Sequence, residues 1–379
     1  MKKLLFVSQS NINSKDGGGL GQRAYYSSLA MVYNGRIDIL MAKEFIKEGM
    51  NNAIGAPKRS FTEVMFSGSI HRFKKPLYEH LKKHASEYDI CAVSGGLYAG
   101  DMMDMIHSFG LKVMVIHLNF EREYQMDNRT IRTFGGLTPY FVIRNERKAY
   151  QKADYNCFMS PADKESFEHF YGKSSAPSEI IGAYEYEHYQ LSNNLIERVS
   201  KEKEDCVSIS GSMNTVQTIE GVMDFKRRYY NIFKKVSPDW RIIITGRNPA
   251  PSIYEFAEST KGCIEIVPNP VNIEDVIDRS KIFLCPTNVG GGIKLRVMDG
   301  FKRGLPVLAH KVSARGYESL KGEPYFKIYD DEKSFEEGLS SLVDYVDNGY
   351  NPEDIINKYL DYFSFEAGTN RFRKLIEEK

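Results

Sequence analysis

Lys294, Arg296 and Asp299 stand directly behind a run of three glycines, Gly290-Gly291-Gly292, with Ile293 between. Glycine lets a backbone approach a ligand closely, and the unpaired N–H groups of a helix's first turn attract an anion such as a diphosphate. Lys294 and Arg296 add positive charge at that mouth. One turn further on, Asp299 offers a carboxylate within reach of a pair of hydroxyls.

Such a set has to be held by a strand, a loop and a helix. The apolar run 282–285 reads as a buried strand, and Ile293, Val297 and Phe301 keep a helical spacing. Gly304-Leu305-Pro306 stops that helix before a strand at 307–309. The same order opens the chain: a strand at 4–8, then Gly17-Gly18-Gly19-Leu20-Gly21, then a helix at 22–33. That loop lacks the Gly-Lys-Ser/Thr of a P-loop and the spacing of a dinucleotide fingerprint. It reads either as a tight turn or as a ligand loop with Gly18 and Gly19 against phosphate. Further strands at 37–41, 90–94, 113–118, 206–210, 240–245 and 264–268 alternate with helical segments, the pattern of an α/β chain with parallel sheets. His117 falls at the C-terminal end of one strand, where ligands of open α/β sheets collect, and is read as structural or ligand-facing. Arg247 and the stretch 267–272, with Val267 and Asn269, follow two others; Arg247 is read either as a surface residue or as a phosphate ligand.

With 379 residues and 42% hydrophobic content the chain is long enough for two cores. Lys and Arg number 51 against 50 Asp and Glu, so no overall field points to nucleic acid. Five cysteines without a C-x-x-C pair or metal-site spacing fit reduced, buried thiols in the cytosol. The run 4–7 is too short for a signal peptide or a membrane span. Residues 70–84 place Ile70, Phe73, Leu77 and Leu81 on one side amid lysines, which reads as an ordinary solvated helix or as a contact with an anionic membrane surface. Pro76 interrupts that pattern.

The stretch 282–316 resembles the nucleotide-sugar site of glycosyltransferase family 4, the glycosyl transferases group 1, whose members have the GT-B fold. A looser likeness runs through residues 1–30, 113–125 and 145–170. In the family an acidic residue, seven others and a second acidic residue hold the donor ribose; Asp299 takes the second place, and Gly291 stands at the first. Ser212 and Thr218 occupy the places of an arginine and a lysine that grip the diphosphate, which shifts phosphate neutralisation to Lys294, Arg296 and Arg247. Glu146, Asp154 and Ser160 match a structural segment of the family's first domain.

The resemblance implies two Rossmann-like doubly wound domains facing each other across a cleft: 1–190 on the acceptor side, 204–355 binding the nucleotide sugar, and 356–379 a helix returning to the first. It implies transfer from a UDP- or GDP-sugar to a glycan or lipid-linked acceptor, with retention, in surface polysaccharide or glycoconjugate synthesis. The expected place is the cytoplasm, at the inner face of the membrane if residues 70–84 bind it. Donor contacts would come from Gly18, Gly19, Arg247, Val267, Asn269, Gly291, Gly292, Ile293, Lys294, Arg296 and Asp299. His117 would support the sugar, and Glu121 and Tyr124 would serve the acceptor. The scheme needs no cofactor and no bound metal; Asp101 and Asp104 do not form an Asp-x-Asp motif. Two other readings share the fold: a nucleotide-sugar 2-epimerase, and a non-catalytic partner that binds an acceptor or another transferase.

Overall fold

The computed structural model describes residues 2–14, 17–58, 72–123, 138–189 and 191–377. The chain divides into two compact units, Met1–His188 with Phe363–Lys379, and Tyr189–Tyr362. Tyr124, Ile70 and His71 lie outside the described residues.

In the first unit the described strands are β1 (Lys3–Val7), β2 (Ile37–Ala42), β3 (Ala53–Ala56), β4 (Tyr88–Ser94), β5 (Lys112–His117), β6 (Tyr155–Phe158) and β7 (Ser178–Ile180). They form one parallel sheet in the order β3-β2-β1-β4-β5-β6-β7. Apolar residues run without alternation along β1 and β5 because both faces of a parallel sheet are covered. One face packs Leu5, Val7, Val93 and Val115 under Leu77 and Leu81 of the helix Lys74–His84 and under Phe73, which precedes it. Pro76 sits in the first turn of that helix, where no intrahelical N–H is needed, so it starts the helix instead of breaking it. The helix Phe365–Glu377 packs on the helix Gly17–Val32, and Thr369 Oγ1 donates to Ser28 Oγ at 2.9 Å.

In the second unit the described strands are β8 (Glu204–Ser212), β9 (Arg241–Arg247), β10 (Ile264–Pro268), β11 (Ser280–Cys285), β12 (Val307–His310) and β13 (Phe326–Tyr329). All pair in parallel, in the order β10-β9-β8-β11-β12-β13. Val207, Ile209, Ile242, Ile244, Ile282 and Leu284 meet Phe225, Tyr229, Phe256, Phe335 and Leu339 from the covering helices. Each buried side chain of this size stabilises by about 1.5–3 kcal/mol, so these cores carry the two units.

Both sheets reverse direction beside their first strand, between β1 and β4 and between β8 and β11. Such switch points open a crevice at the C-terminal strand ends.

Two expectations are corrected. The glycines 17–19 do not form a loop: the helix begins at Gly17, and Gly18 and Gly19 lie in its first turn. A Cβ on Gly19 would stand 2.6 Å from the Asn11 carbonyl, so this glycine serves close packing of the preceding loop. The segment 183–203, whose polar and charged sequence suggests a linker between domains, starts inside the first unit's core, where Ala183 and Tyr184 are buried and Tyr184 donates to Ser28 Oγ at 2.9 Å.

A candidate anion and nucleotide site at the second switch point

The end of β8 leads through Met213 to the helix Val216–Asp224, and the end of β11 leads through Pro286 to the glycine run. These two connections touch. A Cβ on Gly221 would lie 2.8 Å from the Pro286 carbonyl, and one on Gly290 would lie 2.3 Å from Gln217 Nε2. Gly290 has φ +89°, so a side chain is excluded there both by backbone conformation and by the Gln217 amide. The glycine loop thus lies over the first turn of a nine-residue helix, at the crevice that the strand order opens.

Three contacts fix the loop from behind. Ser313 Oγ donates to the Thr287 carbonyl at 2.8 Å, and Tyr317 Oη donates to the Lys294 carbonyl at 3.0 Å. Lys294 Nζ folds back to donate to the carbonyls of Gly290 at 3.0 Å and Gly291 at 2.7 Å. Two neutral acceptors of its own loop thus help to hold this ammonium. Ile293 and Lys294 precede the helix, which spans only Arg296–Phe301 and not the longer stretch the spacing predicts. With so short a helix, the charge at the mouth comes from side chains.

Asp299 accepts from Arg296 Nη1 at 2.8 Å and faces Lys302 Nζ at 3.7 Å. Arg296 is 45% exposed and Asp299 22%, so the pair borders solvent. Arg247 ends β9, exposed, opposite Ser212 in the sheet, and its guanidinium has no hydrogen bond among the described residues. The close approach of those two strand ends depends on Gly246, where φ is +146° and a Cβ would lie 1.8 Å from the Gly211 carbonyl. Val267 is half-buried against Cys206, Ile243 and Val276, and its carbonyl accepts from Thr245 Oγ1. Asn269 Oδ1 accepts from the Asn248 amide at 3.0 Å, which ties two crevice loops together. Ser210 Oγ and Asn288 Oδ1 are buried with no hydrogen-bond partner among the described residues.

Thus Gly291, Gly292, Ile293, Lys294, Arg296 and Asp299 come together on one connection, with Arg247, Val267 and Asn269 on the same sheet edge. Gly18, Gly19, His117 and Glu121 belong to the first unit. Sequence reading missed Gln217, Lys302, Ser313 and Tyr317, since ordinary polar residues carry no spacing signal for a brace.

His117 is fully buried. Its ring stacks on Phe158 and touches Phe167 and Tyr150. Asn156 donates through Nδ2 to the Tyr150 carbonyl, so its Oδ1 is the acceptor for His117 Nε2–H at 2.8 Å. Nδ1 is then an acceptor without a partner among the described residues, and a Cβ on Gly96 would lie 2.6 Å from it. Burial, only partly offset by the Asn156 bond, pulls the imidazole down to about 4, so it is neutral near pH 7. The ring is shut off from solvent.

Residues 121–123 are helical, and the Glu121 backbone N–H donates to buried Glu146 at 2.6 Å. Ser160 caps the helix Pro161–Tyr171 by accepting from the Asp163 amide.

Residues 205–344 match the family model described as "Glycosyl transferases group 1". No curated protein matches the chain. Among solved structures it is similar to sucrose-phosphate synthase of Thermosynechococcus elongatus (TM-score 0.70, 11% identity, 100% of this chain and 99% of that one). It is also similar to HepE of Anabaena in complex with UDP (TM-score 0.67, 10% identity, 100% of both chains). A third is WaaG, a glycosyltransferase involved in lipopolysaccharide biosynthesis (TM-score 0.65, 13% identity, 99% of this chain and 100% of that one). The fold is GT-B.

Proposed function

We propose that this chain, GT-B in fold and matching the glycosyl transferases group 1 over residues 205–344, moves a sugar from a nucleoside-diphosphate sugar to a glycan or lipid-linked acceptor with retention of configuration. The observation that carries the reading is the glycine loop at the second switch point, with Lys294 behind it and the Arg296–Asp299 pair at its exit.

Breaking a sugar–diphosphate bond requires stabilising charge that builds on the leaving phosphate, and preorganised amides with fixed cations do so without solvent reorganisation. The amides of Gly291, Gly292 and Ile293 supply the first, Lys294 and Arg296 the second. A phosphate oxygen carries a full negative charge, whereas the two carbonyls that hold Lys294 are neutral dipoles, so the ammonium is drawn more strongly to the phosphate. Donor entry therefore draws Lys294 off its own loop. Asp299 has about four lone-pair sites, and Arg296 with Lys302 leaves room for a ribose diol. Arg247 supplies a further cation, and Val267 with Asn269 borders the base. HepE was solved with UDP, which favours UDP over GDP as the first nucleotide to test. His117 supports the sugar indirectly, by fixing the backbone at Gly96. Retention follows a front-face route in which no protein group forms a bond to the sugar. The helix Lys74–His84 turns Lys75, Lys82 and Lys83 outward, which suits work at an anionic membrane face on a lipid-linked acceptor.

A non-catalytic partner protein is the second reading. It is favoured by Ser212 and Thr218 where a basic grip would stand; Thr218 Oγ1 is bonded to Thr215 instead. Nucleotide release from a panel of UDP-, GDP-, ADP-, dTDP- and CMP-sugars, beside Asp299→Ala, decides between them. One donor hydrolysed by the wild type and spared by the variant is the expected result. Stabilisation by a nucleotide without turnover favours the partner, and a new sugar nucleotide formed without acceptor would reveal an epimerase.

A further inference from the structure

We propose that Glu146 is a positioning residue for the acceptor-side turn 121–123, closing on the Glu121 and Arg122 amides when its carboxylate is ionised. This role rests on the transferase reading above. Glu146 lies on the helix Thr138–Lys152 and is fully buried. One oxygen accepts the Glu121 N–H at 2.6 Å; the other accepts Tyr171 Oη at 2.7 Å and the Arg122 N–H at 3.3 Å. First-turn amides have no partner within their own helix, so this side chain is the cap of the turn that presents Glu121.

A neutral cap would hold the same amides without the cost of burying a charge among Phe120, Tyr150, Phe167 and Tyr171. An ionisable one adds a switch. The ionised carboxylate offers enough lone pairs for all three donors. Protonation turns the oxygen shared by Tyr171 and Arg122 into a donor. It then donates to the Tyr171 oxygen, whose hydroxyl can rotate, and the long bond from the Arg122 amide, now made to a neutral oxygen, weakens. Burial, with a smaller push from the Glu121 charge, raises this carboxyl to about 7 against the pull of Tyr171 and the two amides. Tyr171 faces it from the helix Pro161–Tyr171, and Arg122 and Arg147 act on Tyr171 from the turn and from Glu146's own helix. Tyr98, on the helix Gly96–Ala99 packed against the helix of Glu146, senses Glu121. The turn is therefore clamped above neutrality and loosened below it.

Two readouts test this on the full chain: amide hydrogen exchange at Glu121 and Arg122 between pH 5.5 and 8.5, corrected for intrinsic rates, and acceptor kcat/KM over the same range. Arg122 protection should rise about fivefold through a midpoint near 7, the value of one hydrogen bond. Glu146→Gln should hold protection at the low-pH level throughout and remove the acid limb of acceptor kcat/KM, leaving UDP affinity unchanged. Tyr171→Phe removes a bond that favours the carboxylate, so both midpoints should move to higher pH. An acid limb that survives in Glu146→Gln, or midpoints that ignore Tyr171→Phe, overturns the clamp. Protection that titrates in a protein that hydrolyses no donor supports the clamp and overturns the transferase reading.

Discussion

The two switch points share one strand order and are finished in opposite ways. At the first, side chains fill the crevice: Ser8 Oγ donates to Gln22 Oε1, and Gln22 Nε2 donates to Ser94 Oγ at 2.6 Å, all three buried. His117 and Asn156 continue that polar layer. At the second, the crevice is bordered by glycine backbone, and the cations stand at its rim, half exposed. Topology provides a crevice in each unit, and the loops decide whether buried side chains or glycine backbone border it. A buried polar network rigidifies its unit.

The comparison can be broken most severely at Lys294. Replacing it by Ala should lower kcat for donor cleavage by about 10²–10³-fold, the usual loss for a transition-state donor, with thermal stability nearly unchanged. Asp299→Ala should weaken UDP binding by about tenfold to a hundredfold, as expected for a bond to a charged group, read by calorimetry. Ser94→Ala tests the filled crevice. It leaves Gln22 Nε2 without an acceptor, costs about 1–3 kcal/mol in denaturant unfolding, and leaves UDP affinity alone. Gly290→Ala should weaken UDP binding by roughly tenfold, about 1.4 kcal/mol of strain and crowding. Gln217→Ala in the same chain should recover part of that loss, because only the crowding is relieved.

The smallest effect concerns acid. His117 is held near 4, below its unfolded value, so its contribution to stability is present above about 6.5 and is lost as pH falls toward 4. Glu146 is raised to about 7, so its contribution is present below about 4.5 and is lost as pH rises to 7. Between 4.5 and 6.5 the two slopes oppose each other. His117→Phe should therefore melt with a smaller loss on going from pH 7 to pH 5 than the wild type, and an unchanged loss would contradict the neutral buried ring.

The strands that were legible in the sequence are the central ones, since burial on both faces writes an unbroken apolar run, as in β1, β5 and β11. The edge strands β3, β7 and β13 left no such mark: Ala53–Ala56 and Ser178–Ile180 are short and partly exposed. The glycine run before Lys294 was legible because the positive φ at Gly290 and Gly292 favours glycine there. The glycines 17–19 misled, since a helix's first turn accepts glycine where a neighbouring carbonyl presses close. Braces such as Ser313 and Tyr317 are set by distances across 20 to 30 residues, which spacing does not encode. The burial of His117 could not be read either, because its aromatic cage is assembled from β6 and two separate helices.

The helix Phe365–Glu377 belongs to the unit whose other residues end at His188. Phe372 and Leu375 are buried there, and Thr369 reaches Ser28 across 341 positions of sequence. Domains tend to fold as they leave the ribosome, N-terminal first. Here the first unit emerges unfinished, and the whole of the second is translated before the piece that completes it. Until then the Tyr25, Ser28 and Tyr184 surface stays open, a sticky interval lasting roughly ten seconds or more at ordinary elongation rates. A chaperone's hold on the nascent chain would be needed longest at that surface.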